Sequence, residues 1–584
     1  MFARRRPVWV MMAATLSASC TGSEPNGDLV LTNGNVITLD AQDRTATAVA
    51  IRGERIVFVG DDGGAESFIG PDTRHIDLEG RTVTPGLLDA HAHFNGGAVS
   101  RMFVLDLSYP TVQSVADIVD AVEAQVAVAQ PGDWILGRGW DEGKLEELRY
   151  VLASDLDPIA PDNPVWLTHT MGHYGTANSV ALALADVTSE TADPPGGTID
   201  HTADGAPTGV LKESAQGLVR GLVPDFTPAQ MRQGMASLAD AFNAECMTGL
   251  KDPGVSEDAF EAYRQVMSEG DLTVRVFALW RAPSTVEATE DLVTRIASST
   301  RPYDERPDDR LISGGVKLYV DGSGGARTAW LYDDWHRERT DVDVGNTGYP
   351  TRDPEIIRAQ IKLLHAAGIH VSVHSIGDRG IDWTVDSFAQ ALEEHPVSGL
   401  RHGIIHANIP TDHAIEEIAR LQREFDAAYP EPSPAFTWWI GDTYAGNFGV
   451  ERSMRLNPFR TFQEQGILWA AGSDYTVTPF PARYGIWSSV ARETVRGVYG
   501  ETPFGTEEAV DVATALRAQT TWVARQMFLD DAIGTIEVGK YADLGVWDRD
   551  PYSVPTAQLQ DMQCQATVFN GDVVYEREAG ASAP

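Results

Sequence analysis

His91 and His93, in PGLLDAHAHF, are separated by one residue, a spacing that sets both imidazoles on the same face of an extended strand. His374 closes the apolar run IHVSVHS, His406 closes GIIHA, and Asp474 follows ILWAAGS. Imidazole nitrogens and carboxylate oxygens are the usual ligands of zinc-like divalent ions. Any one of these residues alone reads as a buried, hydrogen-bonded core residue. Together, at the ends of apolar runs, they indicate a metal centre and a hydrolase that uses it. His365, His370, His395 and His413 fall on helices or loops and are read as solvated structural residues.

Lys317 lies inside GGVKLYVDGS, an apolar strand that would bury its ammonium. Burying an unpaired charge is costly. One resolution is an ion pair with a nearby acid such as Asp321. The other is a lowered pKa, whereupon the neutral amine adds carbon dioxide to give a carbamate, an anionic ligand able to bridge two ions. Asp474 has two readings as well. A carboxylate touching a metal and its bound water accepts a proton during attack and returns it to the leaving group; a Ser-Asp pair at a strand-to-helix turn also suits a helix N-cap. Trp438 and Trp439 wall an apolar pocket or belong to the core.

Ligands gathered from several strand ends need a fold that brings those ends together, and a parallel β/α barrel does so. Residues 84–529 alternate strand and helix patterns. Residues 355–368 are amphipathic at helical spacing, close at Gly368 and run into the strand before His374. VADIVDAVEAQVAVAQPG has the same form and a Pro-Gly stop. Residues 28–83 are all-β, with turns at Asn33-Gly34 and Gly53-Glu54, and 530–584 are β again, with Asn570-Gly571 as a hairpin turn. The expected fold is α/β: a (β/α)8 TIM-like barrel with insertions, beside a small composite β-sandwich made of both terminal segments.

Length and composition, with 43% hydrophobic and 22% charged residues, fit a large globular chain. The formal net charge of −39 disfavours nucleic acid and anionic membrane surfaces as partners. Arg4, Arg5 and Arg6, a short apolar stretch and Ser17-Ala18-Ser19 form an export signal over residues 1–19. Acylation of Cys20 after cleavage would make a membrane-anchored lipoprotein; simple cleavage after Ser19 would give a periplasmic or secreted protein. The consecutive arginines make an incomplete twin-arginine motif. Cys246 and Cys564 are read as buried single cysteines rather than a disulfide framework.

PGLLDAHAHF, GRGWDE, GHYGTANSVAL, DPPGGTID, DGAPTGVLKE, GGVKLYVDGSGGARTAWL, HSIGDRG, GSDYTVTP and IGTIEVGKYADLGVWDRDP resemble the metal-dependent amidohydrolase superfamily, in its amidohydrolase-3 branch of N-substituted formamide deformylase-like enzymes. The resemblance spans residues 28–555. It implies a barrel, a composite sandwich, and metal ligation by His91, His93, Lys317, His374, His406 and Asp474. It also implies substrate-pocket roles for Trp140, Asp141, His173 and Asn178, and a homodimer at the level of the family. Two positions depart from the branch: Ile405 replaces an acid, and Met171 precedes Gly172-His173 where an aspartate is usual. These changes favour a less polar substrate, an expectation that preference for charged compounds would overturn.

The expected centre holds two divalent ions, zinc first and iron or manganese next. His91, His93 and Asp474 take one ion, His374 and His406 the other, and carbamylated Lys317 bridges. Asp474 shuttles the proton, and His173 is the candidate donor to the oxyanion. The expected activity is hydrolysis of an amide, an N-substituted formamide or a cyclic amide. Ester or lactone hydrolysis with the same centre, and a non-catalytic ligand-binding lipoprotein, are the alternatives. A mononuclear deaminase is disfavoured because the bridging lysine position is filled.

Overall fold

The computed structural model describes residues 26–300, 309–335, 345–497 and 505–578. The proposed signal segment and Cys20 lie outside the described residues. No described helix is long and apolar enough to cross a membrane.

Seven parallel strands carry the candidate site. They are β1 (Leu87–Asp89), β2 (Met247–Val255), β3 (Arg275–Arg281), β4 (Leu311–Tyr319), β5 (Val371–Ser375), β6 (Gly403–His406) and β7 (Tyr429–Glu431). Their spatial order is their chain order. Every residue of β2 is buried, as is every residue of β5 and β6. Parallel strands covered on both faces read as continuous apolar runs, which is the pattern these segments show.

Parallel neighbours need long crossovers, and helices supply them. These are α1 (Glu257–Glu269), α2 (Val286–Thr300), α3 (Pro354–Ala366), α4 (Asp378–Glu394) and α5 (Asp412–Phe425). α3 shows how local chemistry sets the boundaries. The Asp353 side chain accepts from the Glu355 N–H, Pro354 opens the first turn, and Gly368 follows the helix at φ +67°. Ile357, Ile361 and Leu364 recur at helical spacing and face the core.

The sheet is curled until both edges approach one segment, residues 470–475. Ala470 N–H donates to Pro430 C=O and Gly472 N–H to Pro432 C=O, beside β7. Ala90 N–H donates to Ala471 C=O, and Asp474 N–H to His91 C=O, beside β1. Register then gathers the chemistry at the C-terminal strand ends. Lys317 pairs with Arg281, Tyr319 with His374, and Ser375 with His406. Between β1 and β2 the chain builds a further six-stranded sheet from segments between Leu105 and Glu213.

The terminal segments form two more sheets. One has four strands, all from residues 29–77. The other has six strands and joins the two ends of the chain, with Val83 opposite Val546. Asn570 and Gly571 both have positive φ, as a two-residue turn between Phe569 and Asp572 requires. The turn at Asn33-Gly34 is not a hairpin: Leu29–Thr32 and Asn35–Ile37 belong to different sheets.

Cys246 and Cys564 are not single cysteines; they form a disulfide, with Cα atoms 5.5 Å apart and a sequence separation of 318. Cys246 directly precedes β2, and the backbone of the Leu544–Trp547 strand crosses close to it at Gly545. Two lone cysteines so far apart give no spacing signal from which to read the bond.

Candidate metal centre

Four of the six candidate ligands, His93, His374, His406 and Asp474, line one cavity of about 710 Å³ together with His173, while His91, against Asp474, and Lys317 are buried outside its lining. Asp474 Oδ1 lies 3.3 Å from Nε2 of His91 and 3.3 Å from Nε2 of His93, and Oδ2 lies 4.0 Å from Nε2 of His406. The His374 and His406 rings are 4.6 Å apart. His374 Nε2 donates to the Gly322 carbonyl at 2.9 Å, which leaves the lone pair on Nδ1.

Buried polar atoms are nearly always hydrogen-bonded. Here a set of them is not: both ring nitrogens of His91, Nδ1 of His406, Oδ1 of Asp474 and Nζ of Lys317 have no hydrogen-bond partner. The orphaned atoms are N and O donors of the kind a divalent ion takes, so the residues fit a metal centre. Backbone strain gathers at the same place. Asp474 has φ +53°, His406 +71° and Ala407 +42°, all left-handed and unfavourable for side-chain-bearing residues.

Charge within the cluster follows from burial and neighbours. Burial alone would raise Asp474, but His91 and His93 against its carboxylate hold it well below the usual range. Burial and the Lys317 charge drive His91 and His374 far down, the latter also through His406, and burial pushes His406 to about 3. These imidazoles are neutral, as metal ligands must be. Burial also lowers the Lys317 amine to about 7. Asp321 is not its partner, because its carboxylate accepts from the backbone N–H groups of Trp330, Ile376 and Gly377.

His173 lines the cavity with its ring 5.1 Å from that of His374. Its Nδ1 is 2.9 Å from a Glu213 carboxylate oxygen. Burial opposes protonation of His173, yet Glu213 outweighs it and raises the imidazole above its ordinary value.

The other expected pocket residues lie elsewhere. Trp140 is fully buried in a core cluster, and its indole N–H donates to Leu167 C=O. A bulge explains this: the strand register shifts between Arg138 and Trp140, with Gly139 at φ +108°, so Arg138 reaches the cavity and Trp140 does not. Asp141 is paired with Lys144 at 2.9 Å. Asn178 caps the helix Ser179–Leu184 and ties down Val165, Ala160 and Asn163. Trp438 packs on Tyr484 and Trp487, and Trp439 lies under the Lys144 ammonium. Their helix instead contributes Phe436, which stacks on His406 at 5.3 Å. His365 and His370 are structural but buried, not solvated.

A family model described as the amidohydrolase family matches residues 74–575. The chain belongs to that family. As an amidohydrolase it is a metal-dependent hydrolase acting on carbon–nitrogen bonds. It is 29% identical to a putative amidohydrolase, YtcJ, of Bacillus subtilis, over 88% of this chain and 92% of the relative. It is 28% identical to the N-substituted formamide deformylase of Arthrobacter pascens, over 94% of this chain and 98% of the relative. Among solved structures, an uncharacterized metal-dependent hydrolase of Pyrococcus horikoshii has a TM-score of 0.69 at 23% identity, covering 91% of this amidohydrolase and 99% of that chain. The zinc complex of atrazine chlorohydrolase TrzN of Arthrobacter aurescens has a TM-score of 0.52 at 16% identity, covering 95% and 97%.

Proposed function

We propose that this amidohydrolase hydrolyses an amide or N-substituted formamide at a two-metal centre held by His91, His93, Lys317, His374, His406 and Asp474. The observation that carries the reading is the set of orphaned buried N and O atoms on His91, Lys317, His406 and Asp474, of which His406 and Asp474 line the cavity. Zinc is the favoured ion, and a carbamate on Lys317 would supply an anionic oxygen ligand to it. A lysine amine lowered to about 7 by burial is substantially neutral at physiological pH and able to add carbon dioxide. When bound, such ions polarise a carbonyl and lower the pKa of coordinated water.

The chain's own groups do the rest. Asp474, anionic at neutral pH, accepts the proton of the attacking water and delivers it to the departing nitrogen. Its strained backbone aims the carboxylate at His91 and His93 instead of into a helix cap. His173, whose protonated form Glu213 favours against burial, donates to the oxygen on which negative charge develops. Phe436 keeps one side of His406 dry.

We further read the curled sheet with residues 470–475 as a closed (β/α)8 barrel over 84–529. The two small sheets then form a sandwich from 28–83 and 530–584, supported by an apolar cluster drawn from both, including Leu31, Ile51, Val83 and Val546. Export, with or without a lipid on Cys20, is supported by the Cys246–Cys564 disulfide, a bond that persists in oxidising compartments. The test is elemental mass spectrometry on protein purified without added metal, followed by chelation, readdition, and matched amide and ester substrates. About two metals per chain with amide turnover restored by zinc supports the reading. No bound metal, with no activity regained on adding metal and bicarbonate, refutes it; turnover confined to esters replaces the C–N bond with a C–O bond.

A further inference from the structure

The cavity over the ligand cluster runs against the charge of the chain. Acidic residues outnumber basic ones 84 to 45, yet Arg138, Arg220, Arg281 and Arg352 all line this cavity. They come from four separate elements. Arg138 precedes the bulge at Gly139, and Arg220 ends the short helix Gly217–Arg220. Arg281 ends β3 opposite Lys317, and Arg352 precedes α3.

None of the four forms an ion pair with a carboxylate among the described residues. Arg138 reaches the Thr170 carbonyl only at 3.4 Å, and its Nε is buried without a partner. Arg352 donates to the Pro283 carbonyl at 2.8 Å. The acids on the same wall are otherwise engaged or distant: Glu213 pairs with His173 and Asp474 with the histidines, while Asp225 makes no ion pair with any of the four. The guanidiniums also work against one another. Burial and then the Arg281 charge lower Arg220; burial and then the Arg220 charge lower Arg138 to about 10. Arg138 and Arg352 are half-buried, and Arg220 and Arg281 are exposed; like charges gathered around one cavity without counter-ions repel until an anion joins them. A guanidinium fork matches the planar carboxylate bidentately.

We infer that the substrate bears a carboxylate, held by Arg138, Arg220, Arg281 and Arg352 while its scissile C–N bond lies over Asp474. The inference rests on the C–N hydrolase reading and narrows it to N-acyl or N-formyl derivatives of amino acids and related amide acids. Met171, Phe226 and Met231 on the same wall give the body of such a molecule an apolar surface. The less polar substrate expected from Met171 and Ile405 therefore becomes an amphiphilic one, and Ile405 itself does not line the cavity. In the reaction, water oxygen bonds to the acyl carbon and the C–N bond breaks. The acyl group leaves as a carboxylic acid and the nitrogen gains a proton to leave as the amine.

The experiment uses the metal-loaded enzyme and N-formyl derivatives of glycine, alanine, leucine and phenylalanine. Each is paired with the formamide of the amine that lacks the carboxylate. Binding is read by calorimetry and turnover by amine release. Within at least one pair the carboxylate member is expected to bind about tenfold tighter or more, as charge-assisted hydrogen bonds warrant. The advantage should collapse in Arg220→Gln/Arg281→Gln and at high salt. Equal binding within every pair, no binding by any member, or a preference that survives in the double variant overturns the inference. Arginine-dependent binding without cleavage keeps the anion site and removes the C–N reading; cleavage of neutral formamides alone does the reverse.

Discussion

Oδ1 of Asp474 lies 3.3 Å from Nε2 of His93, on a residue held at φ +53°. A carboxylate against an imidazole, with its own oxygen lacking a hydrogen bond, suits both metal ligation and proton transfer. Asp474→Asn keeps the shape and removes the base. We expect kcat to fall about 10²–10⁴-fold, the ordinary span of general acid–base catalysis. Metal content by elemental mass spectrometry should stay near wild type. An unchanged kcat would remove Asp474 from proton transfer.

Lys317 links pH to carbon dioxide. An ordinary lysine has a pKa of ~10.4, whereas burial brings this one to about 7. The charged form is the one the fold penalises. The neutral amine therefore predominates above about pH 7 and is lost as pH falls through it. Labelling with ¹³C-bicarbonate should give a protein carbamate signal that grows from pH 6 to pH 8 and is absent in Lys317→Ala. A carbamate signal that strengthens as pH falls, or one retained in Lys317→Ala, excludes the assignment.

How far the sequence carried this reading differs by residue. Lys317, His374 and His406 were legible because parallel strands are buried along their whole length, so a polar side chain there stands out against its neighbours. The terminal β segments were legible as strands, and Asn570-Gly571 as a turn. Trp140, Asp141 and Asn178 were misplaced because a motif names a segment, while a bulge at Gly139 decides which of its side chains faces the cavity. The four cavity arginines lie in four unrelated stretches, and nothing in their local spacing marks them. Glu213 was visible only as the end of DGAPTGVLKE; its pairing with His173 and its backbone at φ +49° appear only once the chain is folded.

The Cys246–Cys564 bond joins the start of β2 to the C-terminal sheet across 318 residues. Closing so long a loop in the unfolded chain favours the folded state, and removing a native disulfide costs about 2–5 kcal/mol in small secreted domains. Cys564→Ala should lower the thermal unfolding midpoint by several degrees, with activity at ambient temperature retained. Peptide mapping without reductant should recover the linked pair from wild type. Recovery of both as free thiols from protein exported into an oxidising compartment would contradict the pairing.

Glu213 holds His173 at 2.9 Å, and the Thr328 hydroxyl donates to the same carboxylate. The protonated imidazole is the useful donor, and Glu213 raises its pKa against the effect of burial. Donor activity is therefore present at low pH and lost as pH rises through the folded value, which lies above 6.5. Glu213→Gln removes the anion and leaves burial to act alone. The alkaline limb of kcat should then move to lower pH, with kcat reduced at pH 8 more than at pH 6. His173→Ala should cost about 10²–10³-fold in kcat, the usual loss of one oxyanion donor. KM should change far less. If instead KM rises and kcat holds, His173 positions substrate, and another group on the cavity wall must meet the developing charge.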